Sequence, residues 1–554
     1  MNPLVMTPAG RGGLPVIRPE LVSTYQAAGW WGSDSLAQIV ADRARRPGPD
    51  ADRVALVSGA LRWTWWDYDQ AGDRYAQALL ALGRPRGTRV AVLLPDGNAV
   101  HAALVGCVRS GHLAVGIGHR AGDAEIAYLL DKTAATVLVV TAVHRGRPVA
   151  VLVEDLVARG ARIETVIVVG ADDLPDLVAS GLTGATATAD PDRAFGPSEV
   201  SMLNSTSGTT GRPKCVTQFD NRWLRFADLA ADAGRLTADD VVLAVVPAPF
   251  GFGLWTQHFL GPRLGAPTVV MPRFSADEMI RLIESERVTL LCCVTTQFRM
   301  MLNSPLADTT DLSSLRVMFT GGEAVPVDRA AEFERRTGAT LLQFYGSNEA
   351  GGISLTTLDD PQDKRLTTSG RLLPEMEPRL FDPDGGAATP ELVGSGAVPG
   401  GRGPTTCAGY FDDEGANEQL FTSDGWMLLG DLVRVDADGY LVVVGRTSDI
   451  IIRGGKNISA GEVENHIESH PLVALVAVVP EADPVFGERV CAVVSLLPGA
   501  DLDLERLTAY LDTRGVSREW WPERLVVVDE IPRSSGGKIA KGQVRELVQG
   551  AASH

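Results

Sequence analysis

Short apolar runs and longer amphipathic stretches alternate along the first 320 residues of this chain. Runs rich in β-branched residues predict buried strands, here at 89–94, 136–140, 241–246, 268–271, 290–294 and 317–320. The amphipathic stretches predict helices, here at 35–46, 75–82, 99–110, 124–130 and 278–286. Strands that alternate with helices indicate parallel sheets covered on both faces. The pattern therefore predicts an α/β fold with a large N-terminal domain of doubly wound sheets.

A separate pattern follows the strand-like run at 440–444. It predicts helices and strands at 461–470, 473–479, 490–496, 503–514 and 524–528. Such a set is sufficient for a small α+β domain of about 100 residues. Residues 382–404 are rich in glycine, proline and aspartate, which predicts loops within a small β-rich section of the N-terminal domain. We place the two domains at 1–446 and 447–554.

Composition and charge narrow the class of protein. The 554 residues exceed what one hydrophobic core usually supports. A formal net charge of −18 argues against nucleic acid and anionic membranes as partners, because both require basic surfaces. The chain has no apolar run of transmembrane length, and its N-terminus lacks the apolar centre of a signal peptide. Six cysteines without metal-ligand spacing predict buried free thiols, and together these features predict a soluble, cytoplasmic protein.

The most informative stretch is 205–214, which reads STSGTTGRPK. Hydroxyls and exposed backbone N–H groups bind phosphate oxygens, glycine allows a close approach, and lysine adds positive charge. The residues expected to contact a nucleotide's phosphates are Ser205, Thr206, Ser207, Gly208, Thr209, Thr210, Gly211 and Lys214. The spacing differs from that of a Walker A loop. The alternative for the stretch alone is a flexible surface linker.

This stretch resembles the phosphate loop of the adenylate-forming superfamily, which comprises acyl- and aryl-CoA synthetases, stand-alone adenylation enzymes and firefly-type luciferases. Further motifs of that superfamily follow in order, at 345–349 (YGSNE), 425–431 (GWMLLGD), 445–449 (GRTSD), 453–458 (RGGKNI) and 532–538 (PRSSGGK). Residues 27–31 and 520–525 also look like bacterial cyclohexanecarboxylate and aryl-acid CoA ligases. The resemblance implies a C-terminal domain that is a mobile cap over the larger domain.

The resemblance also implies roles for individual residues. Lys538 would be the catalytic lysine that contributes charge to the reacting phosphorus, and Glu349 would hold Mg²⁺. Tyr345 would stack on adenine, Asp431 would accept hydrogen bonds from the ribose, and Arg446 would reach ribose or phosphate. The remaining residues expected at the nucleotide are Gly322, Glu323, Gly346 and Ser347. Lys541, close to the catalytic lysine, is expected to be a surface charge.

Two positions depart from the superfamily's pattern. Asn348 stands where threonine, sometimes serine, is usual, and its amide can still donate to a phosphate oxygen as part of the catalytic set. Ser448 stands at the hinge position, which is usually aspartate or lysine, and Asp449 beside it is expected to share the hinge role. Gly454, Gly455 and Lys456 resemble the loop that lines the pantetheine tunnel of CoA ligases.

Acid specificity is expected in segment 247–253, which reads PAPFGFG, and near Thr320. Amino-acid-activating relatives carry an aspartate where this chain has Gly251, so an α-amino acid is disfavoured. Phe250 and Phe252, with Gly251 and Gly253, suggest a flat apolar slot for a ring. For Phe252, a place in the hydrophobic core is an equal alternative. The eight histidines form no apparent cluster along the sequence and are not expected to be central.

These observations predict an AMP-forming ligase that uses ATP and Mg²⁺ to convert an aromatic or cyclic carboxylic acid to its acyl-AMP. The acyl group would then pass to a thiol, either CoA or the pantetheine arm of an acyl carrier protein, and a homodimer is among the expected assemblies. Three alternatives stay open at this point. They are a diazotase that adenylates nitrite and diazotises an aromatic amine, a luciferase-like oxygenase, and a nucleotide-binding homologue without catalysis.

Overall fold

The computed structural model describes residues 5–6, 13–46, 52–182, 191–206, 213–323, 325–382, 385–454, 456–533 and 539–551. The strands before residue 375 are β1 (Val5–Met6), β2 (Val16–Ile17), β3 (Val54–Ser58), β4 (Leu61–Thr64), β5 (Arg89–Leu93), β6 (Leu113–Gly116), β7 (Val137–Thr141), β8 (Val143–His144), β9 (Arg147–Pro148), β10 (Thr165–Val169), β11 (Met202–Ser205), β12 (Cys215–Gln218), β13 (Val242–Ala244), β14 (Thr268–Val270), β15 (Leu290–Cys292), β16 (Val317–Gly321), β17 (Thr340–Ser347), β18 (Gly351–Leu355) and β19 (Arg371–Leu372).

The α-helices of the same region are α1 (Pro19–Ala27), α2 (Leu36–Arg45), α3 (Trp65–Leu80), α4 (Asn98–Ser110), α5 (Asp123–Thr133), α6 (Val149–Ala158), α7 (Asp220–Gly234), α8 (Gly251–Gly253), α9 (Gly261–Leu264), α10 (Ala276–Ser285), α11 (Thr295–Leu302), α12 (Val327–Thr337) and α13 (Gln362–Thr367). A π-helical segment, Leu254–Leu260, joins α8 to α9. The 3₁₀ turns are Pro191–Arg193, Pro305–Asp308 and Pro374–Met376.

Two large sheets organise the N-terminal region. The first has six strands in the order β10-β7-β5-β6-β11-β12, and the second has nine in the order β19-β18-β17-β16-β15-β13-β14-β3-β4. Successive residues of the second sheet enter different cores, since Val317 and Phe319 pack with the first sheet while Met318 packs with α10 to α12. Most neighbouring strands of the two sheets are parallel, as βα alternation requires. The predicted doubly wound α/β fold is therefore confirmed.

The small β-rich section follows. It comprises β20 (Arg379–Phe381), α14 (Pro390–Ser395), β21 (Val398–Gly401), α15 (Glu414–Leu420), β22 (Met427–Leu428), β23 (Asp431–Val435) and β24 (Leu441–Arg446). The helix α14 lies within the stretch for which only loops were predicted. A 3₁₀ turn, Thr447–Asp449, then leads to the last sheet.

The last sheet and its helices form an α+β unit, as predicted. Its elements are β25 (Ile450–Arg453), β26 (Lys456–Ser459), α16 (Ala460–Glu468), β27 (Val473–Asp483), β28 (Gly487–Leu496), α17 (Leu504–Thr513), a 3₁₀ turn (Arg518–Trp520), β29 (Arg524–Val527) and α18 (Lys541–Ala551). Its two hydrophobic clusters contain no residue from before Ile451. A boundary after Arg446 and mobility of the cap stay proposals, which these separate cores support.

A buried arginine connects the two regions. The guanidinium of Arg299, which is 3% exposed on α11, forms an ion pair with Glu468 of α16. A second N–H of Arg299 donates to the carbonyl of Ala474 in β27 at 3.0 Å. Burial lowers the pKa of Arg299 to about 10, so this guanidinium still keeps its charge at neutral pH.

Two predictions from composition can be compared with the structure directly. All six cysteines are buried and free, as expected. Within the described ranges, none of the helices combines the length and apolar character that crossing a membrane requires.

Candidate active site

The motif residues Tyr345, Asp431 and Arg446 meet in one hydrogen-bonded cluster. The Tyr345 hydroxyl donates to one oxygen of the Asp431 carboxylate at 2.7 Å, and Arg446 Nε donates to the other at 2.9 Å. Asp431 and Arg446 are directly opposite each other on the antiparallel pair β23–β24, which explains their contact. Burial and the Asp431 carboxylate raise the pKa of Tyr345 well above 10, so the phenol stays a donor. Asp431 is thus fixed in place with both oxygens oriented.

A β-bulge shapes the start of this motif. The pairing of β17 with β18 shifts register between Tyr345 and Gly346, which redirects the chain at the edge of the site. A Cβ on Gly346 would lie 1.8 Å from the carbonyl oxygen of Gly351, so only glycine fits. The Ser347 hydroxyl accepts the N–H groups of Glu349 and Ala350 at 3.2 and 3.0 Å, which holds the turn that carries Glu349.

Glu349 lies near the end of the phosphate loop. Its carboxylate accepts the hydroxyl of Tyr410 at 2.8 Å, and the ammonium of Lys214 lies 4.9 Å from the centre of the Tyr410 ring. The Thr206 N–H donates to the Lys214 carbonyl at 2.9 Å, closing the base of the loop. Ser205 is 2% exposed, and its hydroxyl has no partner among the described residues. The predicted phosphate contacts Ser207, Gly208, Thr209, Thr210 and Gly211 lie outside the described residues.

Mg²⁺ would suit this corner of the site. The Glu349 carboxylate is a hard oxygen donor, and Mg²⁺ is typically held by one or two carboxylates together with substrate phosphates. In the part of the chain that the structure describes, no group of three or more histidine, cysteine, aspartate or glutamate side chains could hold a metal. A single carboxylate beside a phosphate loop therefore fits an ion that arrives with a nucleotide better than a permanently bound one.

The segment after β16 is tied to a helix. Gly322 has a φ of +77°, which favours glycine, and Glu323 follows it. The Glu323 carboxylate accepts the N–H and hydroxyl of Thr296 at 3.1 and 3.2 Å, at the first turn of α11. The Glu323 side chain is therefore occupied by α11, and the predicted place of Gly322 and Glu323 at the nucleotide stays a prediction.

Aromatic rings surround the predicted acid-binding segment. Phe252 lies parallel to Trp255 at a centroid distance of 5.8 Å and edge-on to Phe344 at 4.8 Å. Trp255 lies in the π-helical segment, a geometry often found at functional sites, and it also contacts the rings of Phe226 and Phe319. Phe252 is only partly buried, so it both packs on the core and keeps exposed ring surface.

Two glycines of the segment are required by packing. A Cβ on Gly253 would lie 2.0 Å from the Pro247 carbonyl oxygen, and one on Gly251 would lie 2.9 Å from Oδ1 of Asn348. Phe250, also predicted at the acid, is partly exposed next to them. Thr320, on β16 beside Phe319, is fully buried, and its place at the acid stays a prediction.

Three side chains from elsewhere in the chain hold the backbone in and next to this segment, and no local sequence pattern predicted them. The carboxylate of Asp96 accepts the Ala248 N–H at 2.7 Å, and burial raises the pKa of Asp96 to about 7. Asn204 donates to the Pro249 carbonyl at 2.6 Å. Gln257 donates to the carbonyl of the residue before the segment. The slot is thus a rigid part of the fold.

The predicted thiol-tunnel loop is the turn of the β25–β26 hairpin. Gly454 N–H donates to the Phe486 carbonyl at 2.8 Å, while Gly455 lies outside the described residues. Lys456 is exposed and pairs with the Glu519 carboxylate at 3.3 Å. Glu519 belongs to the Arg518–Trp520 turn, just before 520–525, so the two segments that resemble CoA ligases adjoin each other.

The hinge region contains a buried charge cluster. The ammonium of Lys541 lies 3.1 Å from the Asp449 carboxylate and 2.9 Å from that of Glu464, and its side chain is 14% exposed. Arg545 also approaches Asp449, at 3.5 Å. The expectation that Lys541 is a surface charge is therefore wrong, because two carboxylates compensate its burial. Lys538 and the side chain of Ser448 lie outside what the structure describes.

The histidines also correct an expectation, since four of them form two pairs. Nδ1 of His101 lies 3.3 Å from Nδ1 of His258, with stacked rings, and His119 is edge-on to His144. Burial lowers the pKa of His101 to about 4 and that of His258 well below 6.5, so this pair is neutral at physiological pH. His101 and His258 are far apart in sequence, where no local pattern could link them.

Comparison with known proteins decides the family. The model described as AMP-binding enzyme matches residues 43–411, and that described as AMP-binding enzyme C-terminal domain matches residues 462–538. The chain belongs to the AMP-binding enzyme family. The membership of the adenylate-forming superfamily that the motifs predicted is thereby confirmed.

Similar proteins span nearly the whole chain. A salicyl-AMP ligase / salicyl-S-ArCP synthetase of Mycobacterium tuberculosis is 34% identical over 97% of this chain and 95% of its own length. A salicylyl-CoA synthase / salicylate adenylyltransferase of a Streptomyces species is 34% identical over 96% of this chain and 97% of its own. The crystal structure of an anthranilate CoA ligase in complex with anthranoyl-AMP has the same fold, with a TM-score of 0.84, 24% identity, and coverage of 94% and 98%.

Proposed function

We propose that this enzyme is an AMP-forming ligase that activates an aromatic or cyclic carboxylic acid with ATP and then transfers the acyl group to a thiol. The observation that carries the proposal is the meeting of distant motifs around the end of β17. Tyr345, Asp431 and Arg446 form one side, while Glu349 and Lys214 approach each other through Tyr410 on the other. A nucleotide between them would contact residues of four motifs, those at 205–214, 345–349, 425–431 and 445–449.

The chemistry balances in two steps. In the first, a carboxylate oxygen of the acid attacks the α-phosphorus of ATP, and pyrophosphate leaves. Lys214 offers positive charge to the phosphates, and Asp431 holds the ribose through its hydrogen-bond capacity. We assign Lys538 the charge that stabilises the reacting phosphorus. In the second step, the sulfur of a thiol attacks the acyl carbon, the thiol loses its proton, and AMP leaves.

The acid-binding segment supports a ring-bearing substrate. Phe252 presents ring surface beside Phe344, and Gly251, which packs against Asn348, provides no carboxylate to neutralise an α-ammonium group. The relatives named above act on salicylate or, for the solved structure, on anthranilate. An aryl acid with a polar ortho substituent is therefore the first substrate to test. CoA and a carrier protein are both acceptors that these relatives' names support.

The alternatives receive less support. The relatives named above are ligases of carboxylic acids, so they do not support nitrite activation by a diazotase. No residue singled out in the sequence supports luciferase-like oxygenation. A non-catalytic homologue is opposed by the same relatives, which are named as enzymes. A homodimer and a cytoplasmic location remain proposals from the sequence.

The test is acid-dependent pyrophosphate release with ATP and Mg²⁺. Salicylate, anthranilate, benzoate and cyclohexanecarboxylate would each be supplied with and without CoA, and the products identified by mass spectrometry. We expect acyl-AMP with at least one aryl acid and acyl-CoA when CoA is the acceptor. Lys538→Ala should lose adenylation and still bind ATP. Turnover that required nitrite and an aromatic amine, with every acid inert, would contradict the proposal.

A further inference from the structure

Three side-chain amides meet between the phosphate loop and the acid-binding segment. Asn204 lies on β11, Gln218 on β12 and Asn348 in the turn between β17 and β18. Asn204 and Gln218 are each 1% exposed, and Asn348 is partly exposed. Because β11 and β12 flank the phosphate loop, this cluster connects that loop to the motif that contains Glu349. We call these three residues the amide cluster.

The three amides bind one another closely. Asn204 Nδ2 donates to Oδ1 of Asn348 at 3.1 Å, and Asn348 Nδ2 donates to Oδ1 of Asn204 at 2.9 Å. Gln218 Nε2 donates to both oxygens, at 2.7 Å to Asn204 and 3.1 Å to Asn348. Each asparagine oxygen therefore accepts two hydrogen bonds, which fills its two lone pairs.

Groups outside the cluster decide which way each amide faces. The Gln218 carbonyl oxygen accepts from Arg222 and, at 2.9 Å, from Trp223 Nε1, and these two side chains can only donate. Gln218 Nε2 must then face Asn204 and Asn348, so both of those must present oxygen to it. The same orientation lets Asn204 Nδ2 donate to the Pro249 carbonyl.

Arg222 also fixes the backbone of the turn. This side chain is fully buried, and its terminal nitrogen Nη2 donates to the carbonyls of Asn348 and Glu349 at 3.0 and 2.8 Å. Its Nε donates to the Thr405 carbonyl at 2.8 Å. Buried side chains thus hold both the main chain and the side chain of Asn348.

One amide hydrogen of the cluster has no acceptor among the described residues. Among the residues that the structure describes, each Nδ2 or Nε2 hydrogen of the amide cluster has an acceptor, except the second hydrogen of Asn348 Nδ2. Asn348 is also the member of the cluster that is not fully buried, and it borders Gly251 of the acid-binding segment. The unused N–H therefore belongs to the one amide that a substrate can reach.

We propose that Asn204 and Gln218 are positioning residues that hold Asn348 so that this N–H donates to an anionic oxygen of the acyl adenylate. The proposal rests on the proposed function and adds the residues that make asparagine effective at position 348. A threonine hydroxyl rotates to suit its partners, whereas an asparagine amide must be held in one of two orientations. The amide cluster selects the orientation in which nitrogen faces the substrate.

The test is a double-mutant cycle between Asn204→Leu and Asn348→Thr, followed by acid-dependent pyrophosphate release. In the chain with Asn348, we expect Asn204→Leu to lower kcat at least about tenfold, which is less than the roughly hundredfold loss from removing such a donor altogether, with a smaller change in KM for ATP. With Asn348→Thr in place, the same change should cost less than about threefold, because no amide remains to be oriented.

A control separates positioning from stability. Asn221 is 1% exposed and bonds Gly32 and Ser198, away from the amide cluster. Asn221→Leu should lower thermal stability without the split between kcat and KM. Equal losses from Asn204→Leu in both backgrounds would show a purely structural role and would overturn the inference.

A binding measurement distinguishes this inference from the proposed function. Salicyl-sulfamoyl-adenosine, a stable mimic of an acyl adenylate, would be titrated calorimetrically into the wild type and the four members of the cycle. We expect the same non-additivity in affinity, with at least about a tenfold loss for Asn204→Leu only when Asn348 is present. If the wild type binds the mimic but turns over no acid, the proposed function fails and the cycle still decides the inference. Additive affinities, or no binding to the wild type, would overturn it.

Discussion

The buried carboxyl of Asp220 provides a quantitative test of the structure. Asp220 is the first residue of α7 and 5% exposed, and one of its oxygens accepts the Leu36 N–H at 2.7 Å at the start of α2. Burial raises its pKa from 3.8 to about 6, since the single N–H bond offsets only part of the lost hydration. Changing Asp220 to asparagine keeps an acceptor for that N–H and removes the ionisation.

The direction of the pH dependence follows from which state of the protein, folded or unfolded, holds the Asp220 proton. Between about pH 4 and pH 6 the folded protein keeps the Asp220 proton that the unfolded chain has already lost, so the free energy of unfolding falls as pH rises. A difference of about two pKa units corresponds to about 3 kcal/mol, fully present as a cost above pH 6. About 2 kcal/mol of that cost develops between pH 4.5 and pH 8.

The assay is urea unfolding of the wild type and Asp220→Asn at pH 4.5 and pH 8, followed by tryptophan fluorescence. Trp31 and Trp223 report on this region, because Trp31 packs edge-on against Phe219 and Trp223 lies on α7. Relative to the wild type, the variant should gain about 2 kcal/mol more at pH 8 than at pH 4.5. Asp232→Asn, on the exposed side of α7, controls for the loss of one carboxyl. A gain for Asp220→Asn that is equal at both pH values would refute the reasoning.

Three further predictions concern charge pairs. Lys541→Ala removes the ammonium that both the Asp449 and Glu464 carboxylates contact, so it should destabilise the C-terminal unit by about 3 kcal/mol in thermal unfolding, and Lys541→Arg should recover most of the loss. Arg299→Leu removes the ion pair with Glu468 and should speed tryptic cleavage between the two regions, whereas an unchanged cleavage rate would show that the contact does not hold them. Asp431→Asn weakens the bond to Arg446 and should weaken ATP binding about tenfold in calorimetry, and wild-type affinity would remove Asp431 from the nucleotide site.

The sequence pattern predicted helices and strands correctly where buried residues recur with a regular period. The apolar run at 89–94 is β5, and the amphipathic stretch at 99–110 is α4, each within one residue of its observed ends. The prediction failed for α3, which was expected at 75–82 and begins at Trp65. Its start is set by a capping box in which Thr64 and Asp67 bind each other's backbone N–H groups, a signal that precedes the apolar pattern.

The residues of the candidate site also include some that could be predicted from the sequence and some that could not. Motif residues such as Asp431 and Tyr345 could be named from the sequence, because they lie in stretches that resemble motifs of the superfamily, and the structure brings them together. Asn204, Asp96 and His258 could not, since each acts through a partner more than a hundred residues away. Such pairs exist only after the two sheets have packed, so no window along the chain contains both members.

The amide cluster explains why the departure at position 348 cannot be reversed alone. Threonine there would leave the buried Nδ2 of Asn204 and Nε2 of Gln218 each short of one acceptor, and an unmet buried donor costs about 1–3 kcal/mol. Replacing Asn204 by leucine in that background would remove one of these donors but also the Oδ1 that accepts Gln218 Nε2, so the second change should not restore the stability that the first one lost. Asparagine at position 348 therefore depends on the polar residues at positions 204 and 218. The asparagine at position 348, considered without residues 204 and 218, therefore does not indicate whether the site can adenylate an acid.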